Sequence, residues 1–110
     1  MVPEEASRTT TSILRIEHPV PDYGMWKEAF DNDPVGRENS GVRRHRVLRA
    51  VDDPNYVMID LEFDTAAEAE ALLRAMRVVW DRVTGTVISN PQARILEAVE
   101  TKEYRSRRTR

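Results

Sequence analysis

Val57-Met58-Ile59-Asp60-Leu61-Glu62-Phe63-Asp64-Thr65-Ala66-Ala67-Glu68 is the stretch whose reading decides the fold. Val57, Ile59, Leu61 and Phe63 alternate with Met58, Asp60 and Glu62. A period of two belongs to a strand with one core face and one polar face. The period then changes. Thr65-Ala66-Ala67-Glu68 reads as a capping box, in which the Thr and Glu side chains satisfy free amides at a helix start. Ala69, Leu72, Leu73, Met76, Val79, Trp80 and Val83 follow at spacings of three and four. They predict an amphipathic helix beginning at Ala66, with Gly85 as its natural stop.

Working outward, Gly41 to Phe63 reads as a hairpin turning at Asp52-Asp53-Pro54-Asn55, residues suited to turn geometry. With Val51 opposite Tyr56, Arg49 meets Met58, Val47 meets Asp60 and His45 meets Glu62. Further back, Asp22 is a plausible N-cap. Tyr23, Trp26, Ala29 and Phe30 then share one face of a short helix, Asp22 to Phe30. Ser12 to His18 forms the first strand, closed by Pro19 and Pro21 because proline cannot donate to a ladder. Gln92 to Val99 forms the last. The order β-α-β-β-α-β is the split pattern of a ferredoxin-like α+β domain, an antiparallel sheet with helices on one face. Residues 1–11 are expected to be a disordered lead-in, 12–100 the domain and 101–110 a basic tail.

A chain of 110 residues, 40% hydrophobic and 33% charged, fits a single globular domain with a modest core. Dimerisation would bury more apolar area per chain. Without cysteine there is no disulfide, thiolate metal ligand or thiol nucleophile. No apolar run approaches the roughly eighteen residues of a membrane span, and the polar N-terminus lacks a signal-peptide centre. A cytoplasmic location is expected. The tail Arg105-Ser106-Arg107-Arg108-Thr109-Arg110 could meet nucleic acid. The rest of the chain is acidic, which argues against it, and a solvated terminus is the simpler reading.

Alternation gathers Arg15, Glu17, Arg43, His45, Arg49, Asp60 and Glu62 on the sheet face away from the helices. Such a face is either solvated, with cross-strand ion pairs, or buried against a second sheet, where balanced signs are required. His18 and His45 are candidates for proton transfer, since histidine titrates near neutrality. No zinc spacing connects them. Asp31-Asn32-Asp33-Pro34-Val35-Gly36 resembles the start of a calcium loop but has Val42 where a bidentate Glu is needed. No metal or cofactor is therefore expected. Trp26 and Trp80, on the apolar helix faces, either fill the core or wall a pocket between helices and sheet.

The first strand Ser-Ile-Leu-Arg-Ile-Glu-His, the stretch Asp-Tyr-Gly-Met-Trp-Lys-Glu-Ala-Phe-Asp, the strand Gly-Val-Arg-Arg-His-Arg-Val, the strand end Asp-Leu-Glu-Phe-Asp-Thr and the final Ala-Arg-Ile-Leu-Glu together resemble the dimeric α/β barrel superfamily. The chain looks like the small bacterial proteins grouped with antibiotic-biosynthesis monooxygenases and polyketide cyclases. The resemblance implies two sheets facing each other across a two-fold axis. It also implies cofactor-free chemistry on an aromatic or polyketide-like substrate. In that reading His18 or His45 moves a proton and Arg15 or Arg43 stabilises an oxyanion. Trp26, Trp80, Asp60 and Glu62 contact substrate. The alternative is a non-catalytic dimeric domain whose charged face is the dimer interior.

Overall fold

The computed structural model describes residues 11–83 and 90–105. The elements are β1 (Ser12–Pro19), α1 (Tyr23–Asp31), β2 (Arg44–Ala50), β3 (Asp53–Phe63), α2 (Ala66–Val83) and β4 (Gln92–Glu97). The order is the expected β-α-β-β-α-β. Gly85, most of the expected lead-in and the last five residues of the basic tail lie outside the described residues. Residues 101–105 are exposed and carry no regular structure.

The strands lie in the order β2-β3-β1-β4, every neighbouring pair antiparallel. This is a ferredoxin-like α+β sheet. Both helices cover the same side. On that side Leu14 and Ile16 of β1 and Val57, Ile59, Leu61 and Phe63 of β3 form one buried cluster with Trp26, Ala69, Leu72 and Trp80. Each fully buried side chain of this kind contributes about 1.5–3 kcal/mol of hydrophobic transfer. The alternation read from 57–63 thus points the apolar set at the helices.

The helix starts follow the sequence chemistry. Asp22 caps α1, its Oδ1 accepting from the Met25 amide at 2.9 Å. Thr65 and Glu68 close the capping box, each side chain accepting the other's backbone N–H at 3.2 Å. Gly41 lies against this box at φ 102°, and a Cβ there would stand 2.8 Å from Glu68 Oε2. Only glycine fits without displacing the cap.

The hairpin differs from expectation. The turn falls at Val51-Asp52, and Asp53, Pro54 and Asn55 already belong to β3. The ladder is irregular between Arg49 and Ala50, and Ala50 pairs with Asp53. The register is therefore Arg44 with Glu62, His45 with Leu61, Arg46 with Asp60, Val47 with Ile59, Leu48 with Met58 and Arg49 with Val57. It is one residue from the expected pairing, and a one-residue slip moves every side chain of the strand to the opposite face. Arg44 and Arg46 occupy the open face, while His45 and Arg49 lie on the helix side. The physical reason lies in Asn55. Its carbonyl accepts from the Val20 amide at 2.7 Å, and its side chain accepts from the Tyr23 amide at 3.2 Å. The Asp-Pro-Asn chemistry serves the link between β1 and α1, and the hairpin turns two residues earlier.

Candidate functional site

The sheet has two faces, and they collect different chemistry. Across the open face runs a row of residues from all four strands: Arg46, Asp60, Arg15 and Arg94. Arg15 holds Asp60 in a fork, Nε to Oδ1 and Nη2 to Oδ2, both at 2.8 Å. Arg46 reaches Oδ2 at 3.4 Å. The Asp60 side chain is only 4% exposed, although no helix lies over it. Its hydrogen bonds with Arg15, ahead of the opposing cost of burial, hold its pKa below the ordinary carboxylate value. In the adjoining rows Arg44 pairs with Glu62 at 2.9 Å and Tyr56 donates to Glu17 at 2.7 Å. That bond raises the phenol's pKa.

The helix side carries aromatic chemistry. Tyr23, Trp26 and Phe30 recur at three- and four-residue spacing along α1, so their rings line up. Trp26 stacks on Phe30 with centroids 5.1 Å apart, and Tyr23 lies 5.8 Å from Trp26. A guanidinium closes each end of the row: Arg49 lies 4.4 Å from the Tyr23 ring centroid and Arg37 lies 3.8 Å from that of Phe30. The histidines touch this row from the sheet. His18 presents an edge contact to Trp26 at 6.0 Å, and His45 does the same to Phe30 at 5.3 Å.

His18 is 2% exposed. Its Nδ1 lies 3.2 Å from the Pro19 carbonyl, which can only accept, so this nitrogen carries the hydrogen. Burial lowers the ring's pKa, with the carbonyl contact acting weakly the other way. The neutral imidazole is therefore the favoured form. His45, on edge strand β2, is exposed.

Between the two helices and the sheet lies a cavity of about 360 Å³. Trp26 and Phe30 of α1, Met76, Val79 and Trp80 of α2, and Leu61 of β3 wall it. Asn32, Arg37 and Arg82 add polar groups to the lining. Its size and apolar walls with few polar groups match small-molecule sites. A wider polar groove adjoins it through Arg37, which lines both spaces, and takes in Arg43 and His45.

The expected site residues thus divide among four places. Trp26 and Trp80 wall the cavity. Arg15, Asp60 and Glu62 lie in the open-face ion pairs. His45 and Arg43 border the polar groove, where Arg43 pairs with Asp64 at 2.6 Å. His18 sits behind Trp26. Arg37 was hidden in a loop that sequence reasoning treats as a connection. Asp33, at φ 54°, accepts from the Arg37 amide at 2.9 Å, and the Arg37 guanidinium donates to the Phe30 carbonyl at 2.9 Å. Only the folded loop brings these groups together.

This arrangement defines a ferredoxin-like protein with an intra-chain apolar cavity, and solved structures of that fold are similar to it. SnoaB, a cofactor-independent oxygenase from Streptomyces nogalater, aligns at TM-score 0.65 and 13% identity, covering 84% of this chain and 95% of its own. A candidate antibiotic biosynthesis monooxygenase from Nitrosomonas europaea aligns at TM-score 0.63 and 18% identity, covering 81% and 90%. A dimeric ferredoxin-like protein from an uncultured marine organism aligns at TM-score 0.59 and 10% identity, covering 94% and 99%. At these identities the shared property is the fold. No protein-family model and no curated protein matches the chain. No helix among the described residues is long and apolar enough to cross a membrane.

Proposed function

We propose that this protein binds a small, flat, apolar molecule in the cavity between its helices and its sheet. We further propose that its chemistry is of the cofactor-independent monooxygenase or cyclase type, on an aromatic or polyketide-like substrate. The observation that carries the proposal is the cavity of about 360 Å³ walled by Trp26, Phe30, Met76 and Trp80. Flat aromatic walls favour a flat aromatic ligand, since offset stacking adds to area burial. Similarity of fold to an oxygenase described as cofactor-independent supports the reaction class. Proton transfer in this reading falls to His18 or His45, each one ring removed from the cavity. Arg15, Asp60 and Glu62 lie in the ion pairs of the open face, and Arg43 borders the polar groove beside the cavity.

Titration with 2-naphthol tests the binding step. Saturable heat and a raised melting temperature are expected, because a ligand of the folded state alone stabilises it. Ala29→Phe, which places a ring in the cavity, should abolish both while leaving the far-UV spectrum unchanged. Binding that survives this substitution would place the ligand elsewhere. Oxygen uptake on adding a dihydroxynaphthalene would separate oxygenase chemistry from simple binding.

A second reading rests on Asp60. A carboxylate so buried, on a face no helix covers, suits a homodimer in which two open faces meet and the ion pairs become interior. Similarity of fold to proteins described as dimeric supports it. In its bland form the dimer has no substrate at all. A monomeric mass by light scattering at micromolar concentration would sink it.

A further inference from the structure

Among the described residues lining the cavity, only two bear a charge, and both are cations: Arg37 and Arg82. No carboxylate and no histidine stands among them. The chain as a whole carries 19 acidic and 17 basic residues, so this bias is local. Arg37 is held rigidly. Its side chain is 15% exposed, its guanidinium carbon lies over the Phe30 ring 3.8 Å from the centroid, and one nitrogen, Nη1, donates to the Phe30 carbonyl. The same Nη1 is 3.5 Å from Asp33, at the long end of an ion pair. A guanidinium has five N–H groups. With the described residues the guanidinium of Arg37 bonds through Nη1 alone, so Nε and Nη2 keep donors to offer. Arg82, in the last turn of α2, is exposed and forms no ion pair with a described residue.

We infer that the cavity selects aromatic ligands bearing an anionic group, a carboxylate or an ionised hydroxyl, with Arg37 as the residue that recognises the anion and Arg82 as a supporting charge. The inference rests on the cavity being the ligand site and goes further by naming the ligand's charge. The geometry suits it. Phe30 forms part of the cavity wall and also carries the Arg37 guanidinium on its face. A ring stacked in the cavity therefore brings a substituent toward a planar, preorganised donor. Asp33 restrains Arg37 through the backbone amide and through a long contact to its guanidinium, so the cation is positioned without being fully neutralised. The apolar walls make a charge-assisted bond there stronger than it would be in water.

Calorimetric titration with 2-naphthoate and with its neutral isostere 2-naphthamide tests this on the unaltered protein. Naphthoate should bind at least about tenfold more tightly, the smaller end of what a hydrogen bond to a charged group contributes. Arg37→Met should remove most of that preference while retaining naphthamide binding, and Arg82→Gln should reduce it less. Equal binding of the two compounds to the unaltered protein would overturn the anion inference and leave the cavity reading intact. Failure of both compounds to bind would overturn the cavity reading itself. A preference that persists in Arg37→Met would show that Arg37 is not the recognising residue. Naphthamide binding by that variant also reports that the cavity is still formed.

Discussion

On the helix side of the sheet the ionisable side chain at greatest depth is His18, 2% exposed; on the open side, along the neighbouring strand, it is Asp60, 3% exposed. Depth is the same and the outcome is opposite. His18 has an edge-type contact with Trp26 and one backbone carbonyl for company, so the uncharged ring is favoured. Asp60 has two guanidinium groups, so the charged carboxylate is favoured. Burial alone does not decide charge; the groups that replace water do. The contrast separates the two readings of function. An apolar side with a void suits a ligand, and a neutralised polar side suits a second sheet.

The largest expected effect breaks the contrast from the helix side. Phe63→Ala should lower unfolding free energy by about 3–5 kcal/mol in urea titration, because a large ring leaves the close-packed core. Met58→Ala, on the open face, should cost clearly less. Equal costs would mean that the open face is as covered in solution as the helix face.

Next comes Asp60→Asn. It takes the carboxylate from Arg15 and Arg46, and a loss of about 1–3 kcal/mol is expected, at the lower end if solvent screens the exposed arginine surfaces. The native pKa of Asp60 lies below its ordinary value. Its contribution is therefore fully present above the unfolded carboxylate pKa and is lost as pH falls through the native one. Stability of the Asn variant should lack that part of the acid loss. A variant as stable as the parent at neutral pH would show that the ion pairs are merely solvated.

The smallest effect is the slope contributed by His18. Its native pKa lies below the unfolded value of 6.5. Above about pH 6.5 both states hold a neutral ring and the contribution is flat. Below it the unfolded ring takes a proton that the native ring resists, so stability falls with acidification. In His18→Gln the loss between about pH 6.5 and pH 5 should be shallower, as read from urea midpoints. An unchanged slope would show that the buried ring titrates normally.

Much of this architecture was legible in the chain. The alternation of 57–63, the Thr65/Glu68 capping box and the Asp22 cap each rest on contacts within a few residues, and all three occur as read. The hairpin register was not legible. Asp52 to Asn55 has turn chemistry at every position, and what decided among placements was Asn55 reaching Val20 and Tyr23 more than thirty residues away. That slip by one residue also moved His45 and Arg49 to the helix side. The aromatic walls of the cavity were visible as helical spacing in α1 and α2. Its charged residues were not, because Arg37 comes from a loop and Arg82 from an exposed helix turn.

Local pattern by itself determined the element order, the helix starts and which side of β3 is apolar, because these depend on periodicity and on hydrogen bonds between near neighbours. Tertiary structure alone decided which arginines share a face with Asp60, which rings His18 and His45 touch, and that the cavity's charged lining is cationic. Each of these follows from strand register and from the approach of α1 to α2. Such approaches are settled by the packing of distant side chains, which no short stretch of sequence encodes.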